Sequence, residues 1–257
     1  MIDALSIASS GLSANQAWID SISNNVANMQ TIGYKRSQVN FHDRVRDVGT
    51  RDDGGGMSEN VLSGAGIQAS EPTQVFSPGA VRQTGNELDL AIQGDGFFEV
   101  ELPTGELAYS RAGRFHLNTD GQLAMSTGQV LTADLRLPPD ARNLVIKQDG
   151  SVQATVVETG EVITIGQVQL AKFASAEGLK KLSDGLYRPS QASGEAIYAE
   201  PGRDGQGVLL QGYVEMSNVN LIDEMSSLVL AQRAYQMNAR LLQAGDQILE
   251  TINNLRR

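Results

Sequence analysis

Two histidines, His42 and His116, are the only imidazoles among 257 residues, and there is no cysteine. Imidazole is the usual proton carrier near neutral pH and the commonest metal ligand. Neither histidine has a second His or a carboxylate at metal-ligand spacing, so the sequence offers no metal centre. The absence of cysteine removes thiolate ligation and disulfides together. A Ser-His-Asp triad needs no sequence adjacency, yet no Ser stands in a Gly-x-Ser-x-Gly elbow. Gly94-Asp95-Gly96 has the form of half a phosphate loop, but it leads into a strand rather than a helix N-terminus, which favours a turn. Glu99 and Glu101 fall on one face of that strand, as a solvated edge would place them. The sequence therefore assigns no catalytic, cofactor-binding or metal residue.

The elements that would position any site are of two kinds. From about Asp3 to Met29 the chain reads as one helix. Leu5, Leu12, Ile19 and Val26 fall seven apart, with Ala8, Ile22 and Met29 on an interleaved stripe, which is a heptad seam. Its polar face carries Ser and Asn where an ordinary surface helix carries Glu and Lys. Asn24, Asn25 and Asn28 then weaken helix propensity, and Gly33 stands where a C-terminal cap is expected. The C-terminal helix runs from Asn220, its expected N-cap, to Leu255, with Asp223 and Glu224 in the first turn and Arg256-Arg257 closing it. Leu221, Leu228, Tyr235, Leu242 and Leu249 form one seven-spaced stripe, and Ala234, Leu241, Ile248 and Leu255 a second. Heptads alone serve an intramolecular antiparallel hairpin and self-assembly equally well. The uncharged flanks and the second stripe tilt the reading toward assembly, with Leu5, Leu12, Ile19 and Val26 on the first helix and Leu221, Leu228, Tyr235, Leu242 and Leu249 on the last as subunit interface.

Between the helices, short alternating segments (Leu88-Leu90-Ile92, Phe98-Val100-Leu102, Phe115-Leu117, Val152-Ala154-Val156, Val168-Leu170) are broken by Asp-Gly pairs at Asp95, Asp120, Asp149, Asp184 and Asp204. Such pairs favour tight turns, so an antiparallel β domain is expected, interrupted at Pro138-Pro139. Arg44 to Gly66, with Gly54-Gly55-Gly56 at its centre, is too polar to hold a core and reads as a loop or arm. The fold class is α+β, with long N- and C-terminal helices forming a coiled-coil-like inner domain, and with a central antiparallel β domain. The expected organisation is an N-terminal helix in 1–35, an extended arm in 36–80, a β-rich outer domain in 81–212 and a C-terminal helix in 213–257.

A net charge of −10, with no Lys/Arg cluster, argues against nucleic acid or an anionic membrane as the main partner. Aromatics make up 5%, sparse for a ring-lined cleft. No cationic segment leads into a long apolar run at the N-terminus, and no stretch approaches ~18 uninterrupted apolar residues. Neither a secretory signal nor membrane insertion is expected.

Specific words narrow the class. Ser23-Asn24-Asn25-Val26-Ala27-Asn28 followed by Thr31-Ile32-Gly33-Tyr34-Lys35 resembles the N-terminal signature of bacterial flagellar rod and hook proteins. Leu88 to Phe98, then Tyr109-Ser110-Arg111-Ala112-Gly113-Arg114-Phe115 and Asp120-Gly121-Gln122-Leu123, is similar to the family's central motif. Glu215 to Asn220 and Ala231-Gln232-Arg233-Ala234-Tyr235 are similar to its C-terminal signature. The chain is much shorter than a hook subunit, and Gln211-Gly212-Tyr213-Val214-Glu215 resembles distal more than proximal rod members. It departs from their pattern at Arg44 to Gly66, where the family carries a more aromatic stretch.

The resemblance implies a structural subunit with no cofactor, in a helical homo-oligomeric tube that spans the periplasm, encloses the export channel and carries motor torque to hook and filament. Helices would line the tube and the β domain would face outward. The implied partners are copies of itself, other rod proteins, the hook protein, the surrounding P- and L-ring proteins and the flagellar type III export apparatus, which needs no cleaved signal peptide. A proximal rod subunit is the alternative within the family. A secreted β-domain hydrolase or binding protein is the alternative outside it.

Overall fold

The computed structural model describes residues 2–51, 59–133, 135–138, 141–156 and 160–255. Gly54-Gly55-Gly56 and the Arg256-Arg257 pair lie outside the described residues. The described chain divides into two units, one built from its two ends with residues 37–73, the other from residues 28–36 and 74–219.

In the first unit, α1 (Ile2–Ala27) and α2 (Leu221–Leu255) pack together as an antiparallel pair. Asn220 caps α2 as expected, its side-chain Oδ1 accepting from the Ile222 N–H at 3.1 Å. α1 continues through Asn24 and Asn25 despite their poor propensity, and it stops at Ala27, well before Gly33. The described residues of Arg44 to Gly66, read from sequence as a loop or arm, instead fall in two 11-residue strands, Phe41–Arg51 and Glu59–Ala69, paired antiparallel with two register shifts. The hairpin lies on α1. Trp18 meets Phe41 edge-on at 5.9 Å, and the Ile67 N–H donates to Ser10 Oγ at 3.2 Å. Contact with a helix stabilises strands that have no hydrophobic alternation of their own.

The second unit is an antiparallel β body. Its seven-stranded sheet runs in the order Lys180–Lys181, Leu186–Arg188, Leu107–Ser110, Phe98–Glu101, Val130–Leu131, Leu123–Met125 and Phe115–Leu117. A three-stranded sheet (Ala141–Ile146, Ser151–Val156, Val162–Gln167) and the pair Leu90–Gln93 with Val208–Gln211 share its core. Leu90, Phe98, Val100, Val152, Val168, Leu170, Leu186 and Leu209 are shut off from solvent, each contributing ~1.5–3 kcal/mol by burial. Leu90, Ala91 and Ile92 are all buried, so this strand is covered on both faces where alternation was expected. A second cluster interlocks Phe76, Phe97, Phe173 and Tyr187 through edge-to-face contacts. The glycines of the five Asp-Gly pairs in the β body have positive φ, as tight turns require.

Candidate functional site

The seam between α1 and α2 is made of small and polar residues. On α2, Glu224, Ala231, Asn238 and Gly245 recur every seventh residue, and on α1 the covered positions include Ala8, Gly11, Ile22 and Asn25. A Cβ on Gly11 would lie 2.7 Å from Asn238 Nδ2, and one on Gly245 would lie 2.6 Å from a Leu5 methyl, so these glycines let the backbones approach. Asn25 pairs with the backbone of Ser37 in both directions, Oδ1 accepting from its N–H and Nδ2 donating to its carbonyl, each at 2.8 Å. The same amide donates to buried Glu224 across the seam at 3.3 Å. These bonds explain how an asparagine is tolerated inside α1.

Most of the large apolar residues flank this seam, although Leu5 reaches into it against Gly245 and Ile22 is buried in it. Leu5, Leu12, Ile19, Val26, Leu228, Tyr235 and Leu242 are half-buried, while Leu221 and Leu249 are exposed. Ile222, Met225, Leu230, Met237 and Leu241 are each more than half exposed.

In the β body, three segments far apart in sequence meet at a buried ion cluster. Glu215 Oε1 accepts from Lys35 Nζ at 2.6 Å and from the Gly79 N–H at 2.8 Å, and Oε2 faces Arg111 Nη1 at 3.4 Å. All three side chains are at most 3% exposed. Lys35 also donates to the Ser77 carbonyl at 2.9 Å. Burial pushes the Lys35 ammonium below its usual range, Glu215 opposes that shift, and Arg111 adds to it. Burial likewise lowers Arg111, against the pull of Glu215 and Asp95, and its guanidinium lies 5.2 Å above the Phe97 ring. Gly33 belongs to this cluster and not to a helix cap. Its N–H donates to the Glu215 carbonyl at 2.8 Å, and a Cβ there would strike the Ala112 backbone. Next to it, Asn218 accepts from the Arg36 N–H at 2.7 Å and donates to the Val75 and Ser77 carbonyls.

The residues first considered for chemistry are structural. His42 and His116 are exposed strand residues. In the Gly94-Asp95-Gly96 turn, the Asp95 carbonyl accepts from the Gly207 N–H at 2.7 Å, and a Cβ on Gly94 would meet Gly207 at 2.8 Å, so close backbone approach accounts for the glycine. Glu99 is more than a solvated edge, because it accepts hydrogen bonds from both Tyr109 and Tyr198. Burial, chiefly, raises both phenols, which disfavours phenolate and so works against nucleophilic use. Among the described residues, no three or more His, Cys, Asp or Glu side chains converge to hold a metal, and no helix is long and apolar enough to cross a membrane.

These features define a structural class of protein, whose buried ionisable groups are spent on holding the chain together. Comparison with known families agrees. The family described as flagella basal body rod protein matches residues 5–35, the flagellar hook protein FlgE/F/G D1 domain matches 91–154, and the flagellar basal body rod FlgEFG protein C-terminal region matches 210–255. Each matched segment supplies one member of the ion cluster: Lys35, Arg111 and Glu215. The chain is 38% identical to the flagellar basal-body rod protein FlgG of Buchnera aphidicola (subsp. Schizaphis graminum), over 99% of its own length and 100% of the relative's. It is also 38% identical to FlgG of Caulobacter vibrioides, with 99% and 100% covered. Against FlgF of Mesorhizobium japonicum the identity is 30%, with 99% of each chain covered. The chain belongs to the flagellar basal-body rod protein family, and its role is that of a structural rod subunit, not an enzyme.

The sequence reading picked out the large heptad residues but missed the small-residue seam and the ion cluster. A signal for the seam was present, since Glu224, Ala231, Asn238 and Gly245 keep the heptad spacing. Nothing local to Lys35 points to Glu215.

Proposed function

We propose that this chain forms the distal segment of the rod, assembling with copies of itself into a rigid helical tube that encloses the export channel and carries motor torque to the hook and filament. The observation that carries this reading is the uncovered apolar surface of α2. Ile222 is 75% exposed and Met237 65% exposed, on a helix whose seam with α1 already has its own residues. Leu5, Leu12, Ile19 and Val26 on α1, with Leu221, Leu228, Tyr235, Leu242 and Leu249 on α2, are the residues that neighbouring copies cover. Interlocked stripes of this kind resist shear, because sliding one helix by a turn unseats every side chain along it. The higher identity to FlgG relatives than to the FlgF relative favours the distal position over the proximal one. The hook protein, other rod proteins and the P- and L-ring proteins are its neighbours across the periplasm, which it reaches through the type III export apparatus.

Negative-stain electron microscopy of the purified chain under assembling conditions tests the reading, with rods or tubes expected. Leu228→Asp and Leu242→Asp should each abolish those polymers, because each buries an unpaired carboxylate at the contact, while leaving the thermal transition of the β body nearly unchanged. Polymers that survive both substitutions would remove the large-residue stripes from the interface.

A further inference from the structure

One end of the helix unit carries an apolar groove of about 760 Å³, bounded by Leu5, Ile7, Phe41, Ile67, Leu241 and Ile248. Among the described residues, none of the side chains lining it is charged. Gly11 and Gly245 also line it, so their lack of side chains helps open the space. Its rims are wet in the single chain, with Ile7 41%, Leu241 60% and Ile248 50% exposed.

At the other end of the same unit, near the start of α2, stands a ridge of matching character. Ile222, Met225 and Val229 fall at i, i+3 and i+7, which places them on one strip of the helix. They are 75%, 56% and 50% exposed. From Asn220 to Gln232 the chain has no Lys or Arg, and its two acids are Asp223 and Glu224, of which Glu224 is turned into the α1–α2 seam. Groove and ridge are thus alike in chemistry and opposite in shape, and they lie at opposite ends of one helix pair.

We infer that the groove receives the Ile222-Met225-Val229 ridge of a second copy of this chain, in a head-to-tail contact. This rests on the assembly reading above and says which surfaces meet. Two different patches joined in this way make a heterologous interface, which leaves a free groove on one terminal copy and a free ridge on the other. Such a contact propagates into an open helical array, whereas a patch paired with itself closes as a dimer. The ridge is the preferred occupant over a charged segment because the described side chains lining the groove carry no charge to compensate one.

The absence of native cysteine makes cross-linking direct. In a Met225→Cys/Leu241→Cys chain, the two sulfurs lie roughly 24 Å apart along one helix, far beyond the ~7 Å Cα separation that a disulfide tolerates, so any bridge joins two copies. After assembly and mild oxidation, a non-reducing gel should show a ladder of dimers, trimers and higher species that collapses on reduction. Mixing the two single variants should give dimers only, and each variant alone should give none. Polymers visible by electron microscopy without a ladder would overturn this contact while leaving self-assembly intact. Dimers from Met225→Cys alone would show a self-paired ridge and overturn it as well. Failure of the native chain to polymerise would overturn both this inference and the assembly reading.

Discussion

Glu215→Gln tests whether the buried ion cluster holds the β body together. The substitution is nearly isosteric and keeps an oxygen to accept from the Gly79 N–H, so what it removes is charge. Lys35 and Arg111, both almost fully buried, then face each other without the carboxylate that bridged them. Leaving buried charge unpaired costs about 3–5 kcal/mol. For a unit of roughly 150 residues each kcal/mol moves the midpoint by ~2–4 °C, so the β-body transition should fall by roughly 6–20 °C. Lys35→Met should cost clearly less, because Glu215 keeps Arg111 at 3.4 Å and the Gly79 N–H at 2.8 Å, and the remaining pair is neutral. The assay is thermal unfolding of the full chain followed by circular dichroism, with the double variant closing a mutant cycle. If Glu215→Gln costs less than 1 kcal/mol, or no more than Lys35→Met, the cluster does not work by charge compensation and the reasoning is refuted.

Two further expectations follow from the β body. Burial raises the phenols of Tyr187, Tyr198 and Tyr109 above the ordinary value of 10.0, so they stabilise the fold below that pH and lose this contribution as pH climbs through and beyond it. Lys35, lowered by burial, acts in the opposite sense and only below 10.5, so a net fall in stability above that pH belongs to the phenols. Tyr187→Phe should make the decline shallower in urea titrations at stepped alkaline pH, and an unchanged slope would count against this assignment. Gly113→Ala should cost at least about 3 kcal/mol, because its Cβ would lie 1.6 Å from the Leu90 carbonyl oxygen in a backbone contact that cannot yield cheaply. An unchanged denaturation midpoint would show that the backbones part more easily than the packing suggests.

Helices and turns were legible because their signals are local and periodic. The heptads of α1 and α2, the Asn220 cap and the Asp-Gly turns all depend on neighbours within a few residues. The paired strands 41–51 and 59–69 were not legible, since their stability comes from each other and from α1, and their sequence alternates weakly. The seam was misweighted for a different reason. A heptad is conventionally read through its large side chains, and here close approach is achieved by glycine and alanine while Asn25 and Glu224 share a buried hydrogen bond. The ion cluster lay beyond local reading altogether, because Lys35 and Glu215 are 180 positions apart and each alone resembles an ordinary surface charge.

That separation bears on how the protein is made. A ribosome releases Lys35 and Arg111 long before it releases Glu215. Until about five-sixths of the chain has emerged, closing the body would place two cations in a dry interior without the Glu215 carboxylate. The strand Tyr213–Glu215, which pairs with Val81–Gln83, is missing for the same interval. Co-translational folding of this unit is therefore deferred almost to the end of synthesis, and a nascent or truncated chain stays open and threadable where a finished one is locked.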